Sequence, residues 1–189
     1  MISLNLAGGG AQRVLLNQAE MFASEGYRVD IIIMKNKVEY QIDNNLYNVH
    51  FLSETRYIST NKLLNLIYFY KKMKHEIDKL ESKNGNFHLF LSHSYDTDQL
   101  LKFFKKNNKF SVIHGTMSKY LKDWSFAKRQ LFKFVYKNAK ICGVSKGVKD
   151  DLLNIVGIKP SQINVIYNSF NLERIRQLSK KPMAFDNQY

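Results

Sequence analysis

Three consecutive glycines in NLAGGGAQRVLL (Asn5 to Leu16) carry the first sign of chemistry in this chain, and two histidines that close apolar runs carry the second. Gly8, Gly9 and Gly10 stand between a short apolar run and a segment with helical spacing. Such a turn lets a ligand approach the backbone closely, and the free N–H groups and positive dipole end of the following helix favour a phosphate or another anion. His93, in LFLSHS, and His114, in SVIHG, each follow a run of β-type residues. Imidazole at a strand end offers a donor or acceptor that changes charge near neutral pH. Asn168, in VIYNSF, closes another such run.

Other motifs are set aside on chemical grounds. The glycines do not complete a dinucleotide fingerprint: Arg13 stands where a third glycine is needed, and Met34 and Lys35 end the second apolar run where an acidic ribose ligand belongs. That argues against a nicotinamide oxidoreductase, and no GK[ST] ending marks a P-loop. GVSKG, Gly143 to Gly147, matches a nucleophile elbow, yet the last histidine, His114, precedes Ser145, whereas in that hydrolase fold the base follows the serine. Ser145 is therefore read as a helix N-cap, with Asp150 and Asp151 adding to the dipole interaction. His50, His75, His88, His93 and His114 lack metal-ligand spacing, so no metal is expected.

The elements that must position these residues alternate. β-type runs occupy Ile2 to Leu6, Val29 to Met34, Val49 to Leu52, Phe87 to Leu91, Phe110 to Ile113, Ile141 to Val144 and Ile163 to Ile166. Helical spacing marks Ala11 to Ser24, Lys62 to Leu80, Lys119 to Asn138 and Lys146 to Ile155. Short, continuously apolar strands alternating with helices define a doubly wound α/β domain with a mainly parallel sheet. In such sheets ligands bind outside the carboxyl ends of the strands, where Gly8 to Gly10, His93, His114, Ser145 and Asn168 all fall.

The chain has 189 residues, 44% of them hydrophobic, enough for one core. Its 29 Lys plus Arg against 16 Asp plus Glu give a net charge of +13, which favours an anionic partner, although drift in an asparagine- and isoleucine-rich composition accounts for it equally well. Cys142 reads as a small buried hydrophobe of a reducing compartment. No run approaches the roughly 18 apolar residues of a spanning helix, so a cytoplasmic location with at most peripheral membrane contact is expected.

GGGAQRVLLNQAEMFASEGYRVDIII resembles the opening of the retaining GT-B glycosyltransferases of family 4, whose amino-terminal domain commonly reads GG-A-[EQ]-R-V before a helix and a strand. GVSKGVKDDLLNIVGIKPSQINVIYNSFNLERI resembles the last strand, helix and strand of the same domain. The resemblance implies that residues 1–178 form a Rossmann-like, acceptor-side half and that 179–189 begin a linker. The nucleotide-sugar half would follow, absent from this chain, so this half alone would not turn over. The resemblance places Gly9 and Gly10 beside the donor diphosphate through their backbone N–H groups, and makes His114 the histidine that contacts the transferred sugar. Gly8 and His93 would share that rim, Lys119 would pair with an acceptor phosphate, and Asn168 would line the hinge or satisfy its own turn, the latter being favoured. MISLNL is shorter than the family's usual first strand, which leaves that strand weak.

The implied partners are a nucleotide-sugar donor, with no cofactor or metal, and a glycan or lipid-linked acceptor of bacterial surface polysaccharide synthesis. Attachment to the anionic inner face of the plasma membrane fits two segments that mix apolar and basic residues, Leu63 to His75 and Ser118 to Lys137. The alternative is a basic module that binds nucleic acid or acidic lipid without catalysis. No helix-turn-helix, RNP-like motif or zinc finger supports nucleic acid, and none is expected as a partner.

Overall fold

In a computed structural model, which describes residues 1–53, 61–170 and 172–180, all seven expected strands form and join one sheet. They are β1 (Ile2–Ser3), β2 (Asp30–Ile33), β3 (Asn48–Phe51), β4 (Phe90–Ser92), β5 (Lys109–Ile113), β6 (Lys140–Gly143) and β7 (Ile163–Val165). Every pairing is parallel, in the order β3-β2-β1-β4-β5-β6-β7. The order reverses direction between β1 and β4, so the crevice at their carboxyl ends is the place where this topology binds ligands.

The helices are α1 (Gly10–Ser24), α2 (Lys62–Asn84), α3 (Tyr95–Leu101), α4 (Met117–Lys122), α5 (Phe126–Tyr136), α6 (Lys146–Val156) and α7 (Leu172–Ser179). Alternation along each strand divides the core between two faces. Ile32 and Phe90 pack under α2 and α3 with Met73, Ile77 and Leu100, and Ile113 and Ile141 pack under α4, α5 and α6 with Phe132 and Leu152. The opposite face carries Ile31 and Ile33 against Leu15, Leu16 and Ala19 of α1, and Leu91, Val112 and Cys142 beside them. Cys142 is the buried hydrophobe that its surroundings imply.

Three expectations need correction. The single helix read over Lys119 to Asn138 is two, because Ser125 turns its side chain onto the Lys128 N–H and starts α5 afresh. The expected helices include neither α3 nor α7; α3 begins at Ser94, whose side chain accepts from Thr97 N–H. β1 ends at Ser3, short of Leu6; beyond it the chain pairs with residues 35–39 through Leu6 N–H to the Lys37 carbonyl and Glu39 N–H to the Leu6 carbonyl. That extension carries the glycine turn to the edge of the sheet. The expected linker lies almost wholly outside the described residues.

A buried carboxylate ties α3 to the sheet and to α5. Asp98 accepts from the Ser111 hydroxyl at 2.7 Å and the Tyr136 hydroxyl at 2.6 Å, and its burial pushes its pKa up to about 6 against the pull of those hydrogen bonds.

Candidate functional site

The glycine turn adopts a backbone that only glycine adopts at low cost. Gly8 has φ +48° and Gly9 has φ +121° with ψ 158°, a region reserved for residues without Cβ. A Cβ on Gly8 would lie 2.8 Å from a Glu39 carboxylate oxygen, whereas one on Gly10 would meet nothing within 4 Å. Tyr40 reaches across from the β2–β3 connection: its hydroxyl accepts from Gly9 N–H at 2.9 Å and donates to the Gly9 carbonyl at 2.8 Å. The Arg13 guanidinium sits over the Tyr40 ring at 4.3 Å. The Gly9 N–H is thus already engaged, and the free donors of the turn are those of Gly10, Ala11 and Gln12, which have no intrahelical acceptor.

What distinguishes this helix start is that no side-chain oxygen caps its first helical N–H groups, although Tyr40 and Glu39 lie against the turn that precedes it. Asn61 caps α2, Ser94 caps α3, Ser125 caps α5 and Ser145 caps α6, each through its side-chain oxygen. The Asp151 carboxylate, reaching over from α6, accepts from Met117 and Ser118 N–H and closes α4. Ser145 therefore caps as expected, while Asp151 serves the neighbouring helix rather than its own. Among α1 to α6, only α1 opens with no side-chain acceptor and no acidic residue in its first turn. Its dipole end and three N–H groups are left for an anion.

The two strand-end histidines converge. His93 follows β4, and its own N–H donates to the Ile2 carbonyl of β1 at 2.9 Å. Its ring stacks on that of His114, which follows β5, at a centroid distance of 5.3 Å and 26° between planes, with His93 Nδ1 3.1 Å from His114 Nε2. Burial depresses both: His93 well below the ordinary histidine value, helped by the nearness of His114, and His114 to about 4. Both rings are therefore neutral at pH 7, and one donates to the other. His93 Nε2 is buried with no partner among the described residues. A bare lone pair left unpaired costs less than a buried N–H, so the cheaper arrangement has His93 Nδ1–H donating to His114 Nε2. His114 Nδ1 then carries the hydrogen and is a donor for an incoming oxygen.

β1, β4 and β5 are neighbours, about 5 Å apart each, so the turn after β1 and the pair after β4 and β5 share one short stretch of the carboxyl edge. Lys119 lies on α4, exposed, with no contact tying it to that pair among the described residues. Asn168 follows β7, and the Ser169 carbonyl beside it accepts from Asn17 of α1 at 3.3 Å, so this segment returns alongside α1. The Asn168 amide oxygen is buried without a hydrogen bond among the described residues. Among the described residues no group of three or more His, Cys, Asp or Glu could hold a metal ion.

An uncapped, glycine-opened helix lies at the switch point of a Rossmann-like parallel sheet, beside two neutral histidines. The model of Glycosyltransferase Family 4 matches residues 8–174, and the chain belongs to that family. The chain is 25% identical over 195 residues to the N-acetylgalactosamine-N,N'-diacetylbacillosaminyl-diphospho-undecaprenol 4-alpha-N-acetylgalactosaminyltransferase of Campylobacter jejuni, an alignment covering 98% of this chain and 51% of that protein. Among solved structures it is similar to the sucrose-phosphate synthase of Thermosynechococcus elongatus, with TM-score 0.63, 18% identity, and coverage of 96% of this chain and 52% of that one. It is similar also to WaaG, a glycosyltransferase involved in lipopolysaccharide biosynthesis, with TM-score 0.54, 13% identity, and coverage of 95% and 51%. The two structures support the fold, a Rossmann-like half of GT-B type, and the chain spans about half the length of the proteins it matches.

Proposed function

We propose that this chain is the acceptor-side half of a retaining glycosyltransferase that moves a sugar from a nucleotide-sugar to a glycan or lipid-linked acceptor in bacterial surface polysaccharide synthesis. The observation that carries the reading is the open amino end of α1, set one strand away from the paired histidines. N–H groups fixed before the reaction stabilise the charge that grows on a leaving diphosphate without reorganising. In this reading Gly8 and Gly9 shape the turn, Gly10 opens it, and His114 donates to the transferred sugar. His93, buried behind His114, fixes the tautomer. Lys119 meets an acceptor phosphate, and Asn168 lines the rim beside α1.

The nucleotide pocket belongs to a second Rossmann-like half, and this half alone does not turn over. The catalytic test uses the complete coding region. With a panel of nucleotide-sugars and a polyprenyl-diphosphate-linked acceptor, transfer with retention of anomeric configuration is expected; transfer with inversion, or none with any donor, contradicts the proposal.

Features of the surface support a membrane-linked acceptor. Phe69, Met73, Ile77 and Leu80 hold α2 on the core, yet Leu63, Leu64 and Ile67 at its start are exposed beside Lys62, Lys71, Lys72 and Lys74. Phe126 and Phe134 of α5 are exposed among lysines in the same manner. No described helix is long and apolar enough to cross a membrane. These faces fit peripheral attachment to the anionic cytoplasmic leaflet. Vesicles containing phosphatidylglycerol should bind the protein, and Leu63→Ser with Leu64→Ser should weaken binding by roughly tenfold, the order expected for two partly buried leucines. Tight binding to single-stranded DNA with no vesicle affinity would favour the nucleic-acid alternative instead.

A further inference from the structure

At the amino ends of β5 and β6, on the edge of the sheet away from the histidines, lies a second concentration of charge. Each of these strands begins with a lysine, Lys109 and Lys140, and the connections leading into them supply Lys102, Lys106 and Lys137. The five lysines line one cavity of about 280 Å³, together with Asn107 and Asn138.

Three of the ammonium groups are held by neutral partners. Lys109 Nζ donates to the carbonyls of Leu101 at 2.7 Å and Phe104 at 2.5 Å, Lys102 to that of Lys137 at 2.5 Å, and Lys140 to that of Asn107 at 2.9 Å. These carbonyls belong to the ends of α3 and α5 and the loop between α3 and β5, so the lysines are aimed rather than free. Among the described residues, Lys106 is the one member paired with a carboxylate, Glu81 at 2.6 Å. Asp98 lies at the floor, but its two oxygens already accept from Ser111 and Tyr136. The crowding shows in the lysines themselves: burial and the charge of Lys137 lower the Lys102 pKa, and burial and the charge of Lys102 lower that of Lys109. Five ammonium groups share a partly enclosed space with two carboxylates, Glu81 and Asp98, which leaves an excess of positive charge.

We propose that this cavity is an anion site that takes a compact cluster of phosphates, distinct from the sugar-transfer edge. Its volume lies just under the roughly 300–1,000 Å³ of pockets that enclose a whole drug-sized ligand, so it admits a phosphate group or a short chain of them and leaves any larger body outside. The absence of arginine from the lining fits recognition by point charge rather than by the planar fork that selects carboxylates. β5 separates the two places by its five residues, roughly 15 Å, so the ligand does not touch the reacting sugar. It acts as an anchor or a regulator. The shared chemistry, clustered phosphate, has two sources: a soluble polyphosphate and the headgroup of an acidic lipid.

Inorganic tripolyphosphate is the first probe, measured by calorimetry on the purified protein. Lys137→Glu with Lys140→Glu, both exposed positions, should weaken binding at least about tenfold, the order of one charge-assisted contact. Lys149→Glu with Lys159→Glu removes the same charge elsewhere and should change it less than about twofold. Saturation should also raise the titration midpoints of Lys102 and Lys109 followed through their Cε resonances. The lipid arm uses phosphatidate vesicles and the Leu63→Ser, Leu64→Ser background, so that α2 does not contribute; binding there that needs Lys137 and Lys140, with no response to tripolyphosphate, assigns the headgroup as the source. The idea is overturned by equal losses in the two lysine pairs, or by no binding in either arm. Neither result bears on sugar transfer, whose test above is independent.

Discussion

Gly9→Ala lowers the melting temperature by roughly 2–12 °C, and Gly10→Ala leaves it nearly unchanged. The first follows from backbone geometry. At φ +121° and ψ 158° an alanine pays about 1–3 kcal/mol of strain, and its Cβ would also come within 3.0 Å of the Gln12 side-chain oxygen. For a domain of this length each kcal/mol corresponds to roughly 2–4 °C. Gly10 has no such restriction: its φ is ordinary, its Cβ would stand in open space, and alanine is the better helix former by up to about 1 kcal/mol. The two substitutions separate when the complete enzyme is assayed. Open space beside the uncapped N–H groups is where a diphosphate would lie, so the methyl of Gly10→Ala should cut transfer by roughly 100-fold, the cost of weakening an oxyanion-type contact, in a protein that melts normally. If thermal unfolding and transfer are both unaffected by Gly10→Ala, no phosphate lies at this turn. If Gly9→Ala melts normally, the turn is not held in the conformation described here.

The strands were legible because they are short, mostly apolar runs between helical segments; β1, β2 and β4 are buried throughout, whereas β3 is half-buried to exposed and β7 only partly buried. The edge that holds the candidate site was legible for a related reason: alternation of strands and helices sends every strand's carboxyl end to one side. Details that depend on contacts distant in sequence were not. Nothing in VEYQID announces that Tyr40 will bracket Gly9 from 31 residues away. His93 and His114 could be placed on one rim, but their stacking needs β4 and β5 to be neighbours, which the chain order of strands does not dictate. Asp151 read as a charge at the start of its own helix, yet it caps a helix 33 and 34 residues earlier. The split of α4 from α5 did have a local signal, Ser125 before a helical run, that the continuing apolar spacing obscured.

The buried histidines and Asp98 should give this protein an acid response in which two large contributions oppose each other. His114 has its folded pKa depressed to about 4, against about 6.5 when unfolded, and His93 is depressed as well. Depressed values mean that the unfolded chain binds protons first, so the stability they contribute is present above pH 6.5 and is lost as pH falls toward 4; for His114 the loss is about 3 kcal/mol. Asp98 has the reverse sign. Its pKa is raised to about 6 from an unfolded value near 3.9, so its contribution is full below pH 4 and is lost as pH rises through 6, again about 3 kcal/mol. Within the same window the two nearly cancel, and His93 leaves a net loss toward acid. Asp98→Asn removes the opposing contribution, so its urea-unfolding free energy should drop by about 3 kcal/mol more than the wild type's between pH 6.5 and pH 4. His114→Asn should do the opposite and flatten or invert the acid loss. Under the proposed mechanism the same pair should govern transfer in the complete enzyme. His93→Phe keeps a ring against His114 but removes the nitrogen that sets its tautomer, and should cost roughly tenfold or more, the order of one hydrogen bond. His114→Ala should cost more, because in the proposed mechanism the donor itself is gone. Parallel acid losses in the wild type and in His114→Asn would show that the His114 ring is not held neutral by burial, and transfer undiminished in His93→Phe would remove His93 from the mechanism.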